Sequence, residues 1–205
     1  MNILAAALED ELQAFPDHLP GWERLVTGIG RLNAATALTE RLLAAPGARV
    51  VVVGTAGTLD PELPAGVHPV GAVLQHDVWD FEHRRGRHVA LPARFLLSGD
   101  ISVATGDSFT DSAEQSAQIR GLGADMVDME SYAFAWAARR RGAPLAIARV
   151  ASDGADAEAL HTWDETVARC SAELWDWFRS GPIDDPEHWC ALPDPSDQLS
   201  AGLTL

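Results

Sequence analysis

Three acids in this sequence close apolar runs, and they are the residues whose chemistry stands out first. Glu11 belongs to the Glu9-Asp10-Glu11 cluster that ends the run Asn2 to Leu8; Glu130 follows Ala124 to Val127; Asp153, with Ser152 beside it, follows Leu145 to Ala151. An apolar core rejects carboxylates unless something compensates them, so carboxyls at strand ends mark a place where chain meets solvent or ligand. There a buried carboxyl whose proton is held above the usual ~3.9 of aspartate can act as a general acid, and an ionised one can face developing positive charge. A lone acid at a strand end is more often a cap or a solvated loop residue; the argument rests on several of them converging.

The elements that position these acids are legible from periodicity. Asn2 to Leu8, Leu25 to Thr27, Val50 to Val53, Val67 to Val78, Ile101 to Ala104, Ala124 to Val127 and Leu145 to Ala151 read as strands, and Arg31 to Ala45, Ser112 to Arg120 and Met129 to Arg141 as helices. In the first helix Leu32, Ala35, Leu38, Thr39 and Leu42 form the expected apolar stripe. Gly28-Ile29-Gly30, Gly54-Thr55-Ala56-Gly57 and Thr105-Gly106-Asp107-Ser108-Phe109 read as loops at strand ends, where glycine lets backbone approach a ligand. The strand, helix, strand order from Ala124 to Ala151 implies a parallel crossover unit, whose carboxyl edge is the usual ligand edge. Arg139 to Arg141 sit in a last helical turn, which favours cations, and are read as a solvated helix end. Thr162 and Glu165 form a capping box for a final helix to Phe178, with Val167, Cys170, Ser171, Leu174 and Phe178 on one stripe. His76-Asp77 is read as a structural hydrogen-bonding pair, since no nucleophilic Ser or Cys accompanies it.

Composition bounds the possibilities. The chain has 205 residues, 47% hydrophobic and 22% charged, enough for one domain with a substantial core. Thirty acidic residues against 15 basic ones give a net charge of −15, which argues against a nucleic-acid partner. Cys170 and Cys190 are too few for a disulfide framework and are not spaced as a metal motif, so no metal or cofactor is implied and a cytoplasmic setting is expected. The opening MNILAAALEDEL has no basic leader and too short an apolar run for a membrane segment, so it is expected to be a core strand. A catalytic domain is expected over 1–180, and a Pro- and Asp-rich tail over 181–205, ordered where Trp189 and Leu192 find a surface.

The segments ALEDEL, TGIGRLNAA, VVVGTAGTL, ATGDSF, VDMESYAFA and ARVASDGAD, in this order and spacing, resemble the purine nucleoside phosphorylase and nucleosidase superfamily, and within it the methylthioadenosine/S-adenosylhomocysteine nucleosidases. The resemblance covers roughly Met1 to Phe178. It implies an α/β fold of three layers, α/β/α, around a mixed and partly barrel-like sheet, and a homodimer. It also assigns roles. Asp153 matches the acid that protonates N7 of the leaving purine, with Ser152 as its support. Glu130 matches the residue that holds the ribose hydroxyls and Met129 the one packed on the sugar. Glu11 matches the activator of the attacking water, and Arg149 an arginine near that water. Phe109 would lie against the base, Thr55 and Gly57 beneath the sugar, and Leu8 and Ile29 would border an apolar pocket for the 5′ substituent.

The chemistry suits those residue types. Breaking a purine N-glycosidic bond develops positive charge on the sugar and negative charge on the base, which calls for an acid at the base and anions at the sugar. A phosphorolytic relative must hold an anion at the first loop, whereas Glu9-Asp10-Glu11 would repel phosphate there, so water is the expected nucleophile and a small nucleoside the expected partner. The charged stretch Trp79 to His88 departs from the family and leaves open a polar 5′ group, as in futalosine; a phosphorylase and an inactive nucleoside-binding protein are the remaining alternatives.

Overall fold

A computed structural model describes residues 1–153, 163–181 and 189–190. Among these residues eight strands form one sheet: β1 (Asn2–Ala6), β2 (Trp22–Val26), β3 (Val50–Thr58), β4 (Val67–Gln75), β5 (Arg94–Leu96), β6 (Ile101–Thr105), β7 (Met126–Asp128) and β8 (Leu145–Asp153). Five of them close on themselves. β3 pairs with β8 in parallel and with β7 antiparallel, β7 with β6 and β6 with β4 in parallel, and β4 with β8 antiparallel. β1 and then β2 extend the sheet from β3, and β5 extends it from β4. The result is a mixed sheet rolled into a small barrel with an open wing.

Helices α1 (Arg31–Ala44) and α3 (Ser131–Arg141) cover one face of the wing, and α4 (Trp163–Arg179) covers the other. The sequence encodes this sandwich by alternation. Ile3, Ala5, Val50 and Val52 pack with Leu38, Leu42 and Phe134 on one side, while Leu4, Ala6, Val51 and Val53 pack with Cys170, Leu174 and Phe178 on the other. Because both faces are covered, the strands read as continuous apolar runs rather than alternating ones. A third cluster seats the short helix α2 (Ala113–Arg120) through Ile119 against Leu74, Ala104 and Val127.

Four expectations are corrected. The predicted parallel crossover from Ala124 to Ala151 does not form: β7 and β8 are not neighbours, and each instead pairs with β3, in opposite senses. The segment Gly54 to Gly57 is not a loop but the second half of β3, paired along β8. Leu32, expected in the buried stripe of α1, is 82% exposed, and Ala34, Leu38 and Leu42 carry the burial. β5 was not expected at all; it is three residues long and lacks a periodic signature.

The stripe expected on α4 is buried throughout. Thr162 and the side chain of Glu165, the expected capping box, lie outside the described residues, as does most of the tail. Of the tail, Trp189 lies under the Arg49 guanidinium, 4.6 Å from its ring centre, and Cys190 bridges to Leu145. Among the described residues no helix is long and apolar enough to cross a membrane.

Candidate active site

The carboxyl ends of β1, β3, β7 and β8 meet around a cavity of about 330 Å³, within the range of about 300–1,000 Å³ common for small-molecule sites. The routes by which the chain gets there differ. β7 meets the far end of β3 through only two antiparallel pairs, Gly57 with Val127 and Thr58 with Met126. The register of β8 against β3 shifts between Ala56 and Gly57, so Ala56 faces Ala151 but Gly57 faces Asp153. Such an irregularity redirects side chains at a strand end, and it falls at Ser152.

Glu11 is brought to the cavity by a 3-10 turn, Glu9–Leu12, immediately after β1. It is 4% exposed and held at both oxygens: Ala7 N and Leu8 N each donate to Oε2 at 3.1 Å, and Thr55 N and Oγ1 donate to Oε1 at 2.7 and 3.0 Å. Thr55 therefore serves first to fix Glu11. Gly54 is required next to it, because a Cβ there would stand 2.4 Å from Arg149 Nη1 and 2.9 Å from Glu11 Oε1.

Glu130 caps α3 by position but is turned across the cavity, where Gly30 N donates to its Oε1 at 2.6 Å. Burial, and then the neighbouring Asp128 carboxylate, push its pKa up to about 7, against the opposing pull of the Gly30 amide and the Arg149 guanidinium. Asp128 is itself compensated. Arg149 donates to its Oδ2 from Nε at 3.0 Å and Nη2 at 2.8 Å, and Thr105 Oγ1 and Ser131 N donate to the same carboxylate. Arg149, 2% exposed, thus stands behind the wall and not on it.

The residues named from the sequence fall into three groups. Leu8, Glu11, Ile29, Thr55, Gly57, Phe109, Met129, Glu130 and Ser152 line the cavity. Arg149 is one layer back. Asp153 has its backbone at the cavity end of β8, but its side chain lies outside the described residues. None of Trp79 to His88 lines the cavity; that segment folds back on itself through a Trp79–Arg85 bridge and borders a separate surface hollow.

Sequence reading missed two residues and misjudged a third. Asp128 lines the cavity and carries Arg149, and Arg31 joins the loops that form its rim, as described below. A cation as first residue of a helix opposes the helix dipole, and that was the available signal for Arg31. His76 is not the hydrogen-bonding group expected: its ring is fully buried and neither nitrogen has a partner among the described residues. Desolvation pushes its pKa down, and Gly106 packs on the ring so closely that a Cβ would lie 2.1 Å from Nε2.

Comparison with known proteins follows the same lines. The model of the Phosphorylase superfamily matches residues 100–174. A 5′-methylthioadenosine/S-adenosylhomocysteine nucleosidase of Geobacillus thermodenitrificans is 30% identical over 177 residues, covering 73% of this chain and 75% of that protein. The nucleosidase of the same name from Marinomonas sp. is 27% identical over 165 residues, 69% of this chain and 71% of that one. Among solved structures, the Helicobacter pylori 5′-methylthioadenosine/S-adenosyl homocysteine nucleosidase superposes with a TM-score of 0.78 at 21% identity, over 89% of this chain and 97% of that one. The native futalosine hydrolase of Helicobacter pylori superposes with a TM-score of 0.79 at 21% identity, over 89% of this chain and 97% of that one.

Proposed function

This chain belongs to the 5′-methylthioadenosine/S-adenosylhomocysteine nucleosidase family of the phosphorylase superfamily, and from that premise we propose that it hydrolyses the N-glycosidic bond of adenine nucleosides carrying a 5′-thioether. The observation that carries the proposal is the cavity wall: three carboxylates, Glu11, Asp128 and Glu130, in a setting of apolar side chains, with no arginine on the wall among the described residues. Buried carboxyl groups, where ionised, favour an oxocarbenium-like sugar and disfavour phosphate as a nucleophile.

In the proposed reaction the C1′–N9 bond breaks with its electron pair passing to the purine. Asp153 delivers a proton to N7, so that neutral base departs. Water attacks C1′ as its proton passes to Glu11; Glu11 then releases that proton to solvent, and solvent returns one to Asp153. Glu130 accepts hydrogen bonds from the ribose hydroxyls, Met129 packs on the sugar and Phe109 on the base. Ser152 stands beside Asp153 as its support, and Arg149 secures Asp128. Leu8 and Ile29 border the 5′ group. The separation of the charged Trp79 to His88 segment from the cavity favours a thioether over the polar 5′ extension of futalosine.

The test is release of free base from methylthioadenosine, S-adenosylhomocysteine, adenosine, inosine and futalosine, with and without phosphate. Methylthioadenosine and S-adenosylhomocysteine are expected to turn over without phosphate, and Asp153→Asn to lose at least about 10²-fold in kcat, the scale of a general acid's contribution. Base release only with phosphate, or preferential cleavage of futalosine, rejects the reading.

A further inference from the structure

We propose that Arg31, outside the set of residues that touch the substrate, is the positioning residue that holds the base-side and sugar-side rims of the cavity in register; this rests on the nucleosidase reading above. The rims come from different parts of the chain. The loop after β2 carries Ile29 and the Gly30 amide that binds Glu130, and the loop after β6 carries Ser108, Phe109 and Thr110. No strand pairing joins the two: β2 lies at one end of the sheet, and β6 lies beyond β3 and β7.

Arg31 makes the direct connection. Its Nη1 and Nη2 donate to the two oxygens of Asp77 at 2.8 Å each, and Nη1 also reaches Gln75 Oε1 at 2.7 Å, at the end of β4. Nε and Nη2 donate to Asp107 Oδ2 at 3.0 and 2.8 Å, and the Arg31 amide donates to Asp107 Oδ1 at 3.2 Å. The ring closes when Asp107 N donates to Asp77 Oδ2 at 2.9 Å. One guanidinium thus fixes a residue adjacent to Gly30 against the residue two positions before Phe109, and bridges two carboxylates that would otherwise face each other. The Arg31 and Asp77 side chains are 18% and 21% exposed, so that bridge is sheltered from the screening that weakens open surface pairs, whereas Asp107 is 50% exposed and its bridge is the more screened of the two.

A planar fork is needed for this, because a lysine ammonium cannot bond both carboxylates and Gln75 in the same plane. With Arg31 removed, Asp77 and Asp107 repel, and the 106–110 loop moves relative to Gly30. Misplacing substrate contacts by about 1 Å costs up to about 10²-fold.

The experiment compares wild type with Arg31→Ala, Arg31→Lys, Asp107→Asn and a surface control, Arg84→Ala, by steady-state kinetics on methylthioadenosine, with amide exchange of residues 106–110 followed in parallel. Arg31→Ala is expected to raise KM about tenfold to a hundredfold with a smaller change in kcat, and to speed exchange in 106–110. Arg31→Lys and Asp107→Asn should fall between, guanidinium ion should lower the KM of Arg31→Ala alone, and Arg84→Ala should match wild type. If Arg31→Ala does not fold, the Lys and Asn variants carry the test. A KM within twofold of wild type in the folded variants, or a KM rise equalled by Arg84→Ala, overturns the proposal. A wild type that cleaves no nucleoside rejects the nucleosidase reading instead, and unchanged exchange at 106–110 then rejects the rim connection separately.

Discussion

Glu130 is the residue at which burial and ligand binding oppose each other. Its folded pKa of about 7 lies above the ordinary 4.5 of a glutamate, so between these values the folded state binds more protons than the unfolded state. Stability contributed by this group is therefore full below about pH 4.5 and is lost as pH rises through 7, by about 3 kcal/mol in all. Glutamine mimics the protonated form, so Glu130→Gln should match wild-type stability at about pH 4.5 and exceed it at about pH 8, in urea melts at the two pH values. An equal difference at both would show that Glu130 is not held protonated. Glu11 was legible in the sequence because its acidic cluster ends an apolar run, and Glu130 because it stands where a short strand gives way to a helix, features that local reading detects. Arg31 and Asp128 were not, since their partners Asp107, Asp77 and Arg149 are 76, 46 and 21 residues away.

At the scale of elements, β3 does most of the positioning. Its first half is a core strand shared between the two helical layers, and its second half pairs β8 while presenting Thr55 to Glu11 and Gly57 to the cavity. Gly54 separates these two tasks. Gly54→Ala places a methyl group against Arg149 and Glu11, and the flexible end of Arg149 can yield only by loosening its hold on Asp128. The expected loss is about 1–3 kcal/mol of stability, accompanied by a fall in kcat; denaturant midpoints and initial rates on one preparation measure both, and a variant with unchanged kcat would remove Gly54 from the support of the site. The sequence suggested a ligand-approaching loop here because glycine after a valine run looks like a break. The actual cause is two side chains approaching from sequence-distant elements. For the same reason the barrel was invisible to periodicity: its closure depends on two pairs between β3 and β7, and it came into view only through the family resemblance.

For the whole molecule, the α/β layering follows from composition and alternation, whereas assembly depends on what the surface leaves uncovered. Leu32 and Leu43 are 82% and 55% exposed on α1, and Ile29 and Phe109 at the cavity rim are 50% and 44% exposed. Exposed apolar side chains of this kind beside a site are characteristic of an interface, and they agree with the homodimer that the family resemblance implies. Light scattering is expected to give twice the chain mass of 22.0 kDa, and Leu32→Glu to give a monomer; a wild-type monomer would leave that face to another role. The most direct test of the central claim is a turnover of methylthioadenosine in phosphate-free water enriched in oxygen-18. Nucleosidase action predicts free adenine and one heavy oxygen at C1 of the released sugar. Absence of adenine until phosphate is added, with the sugar recovered as its 1-phosphate, would contradict it.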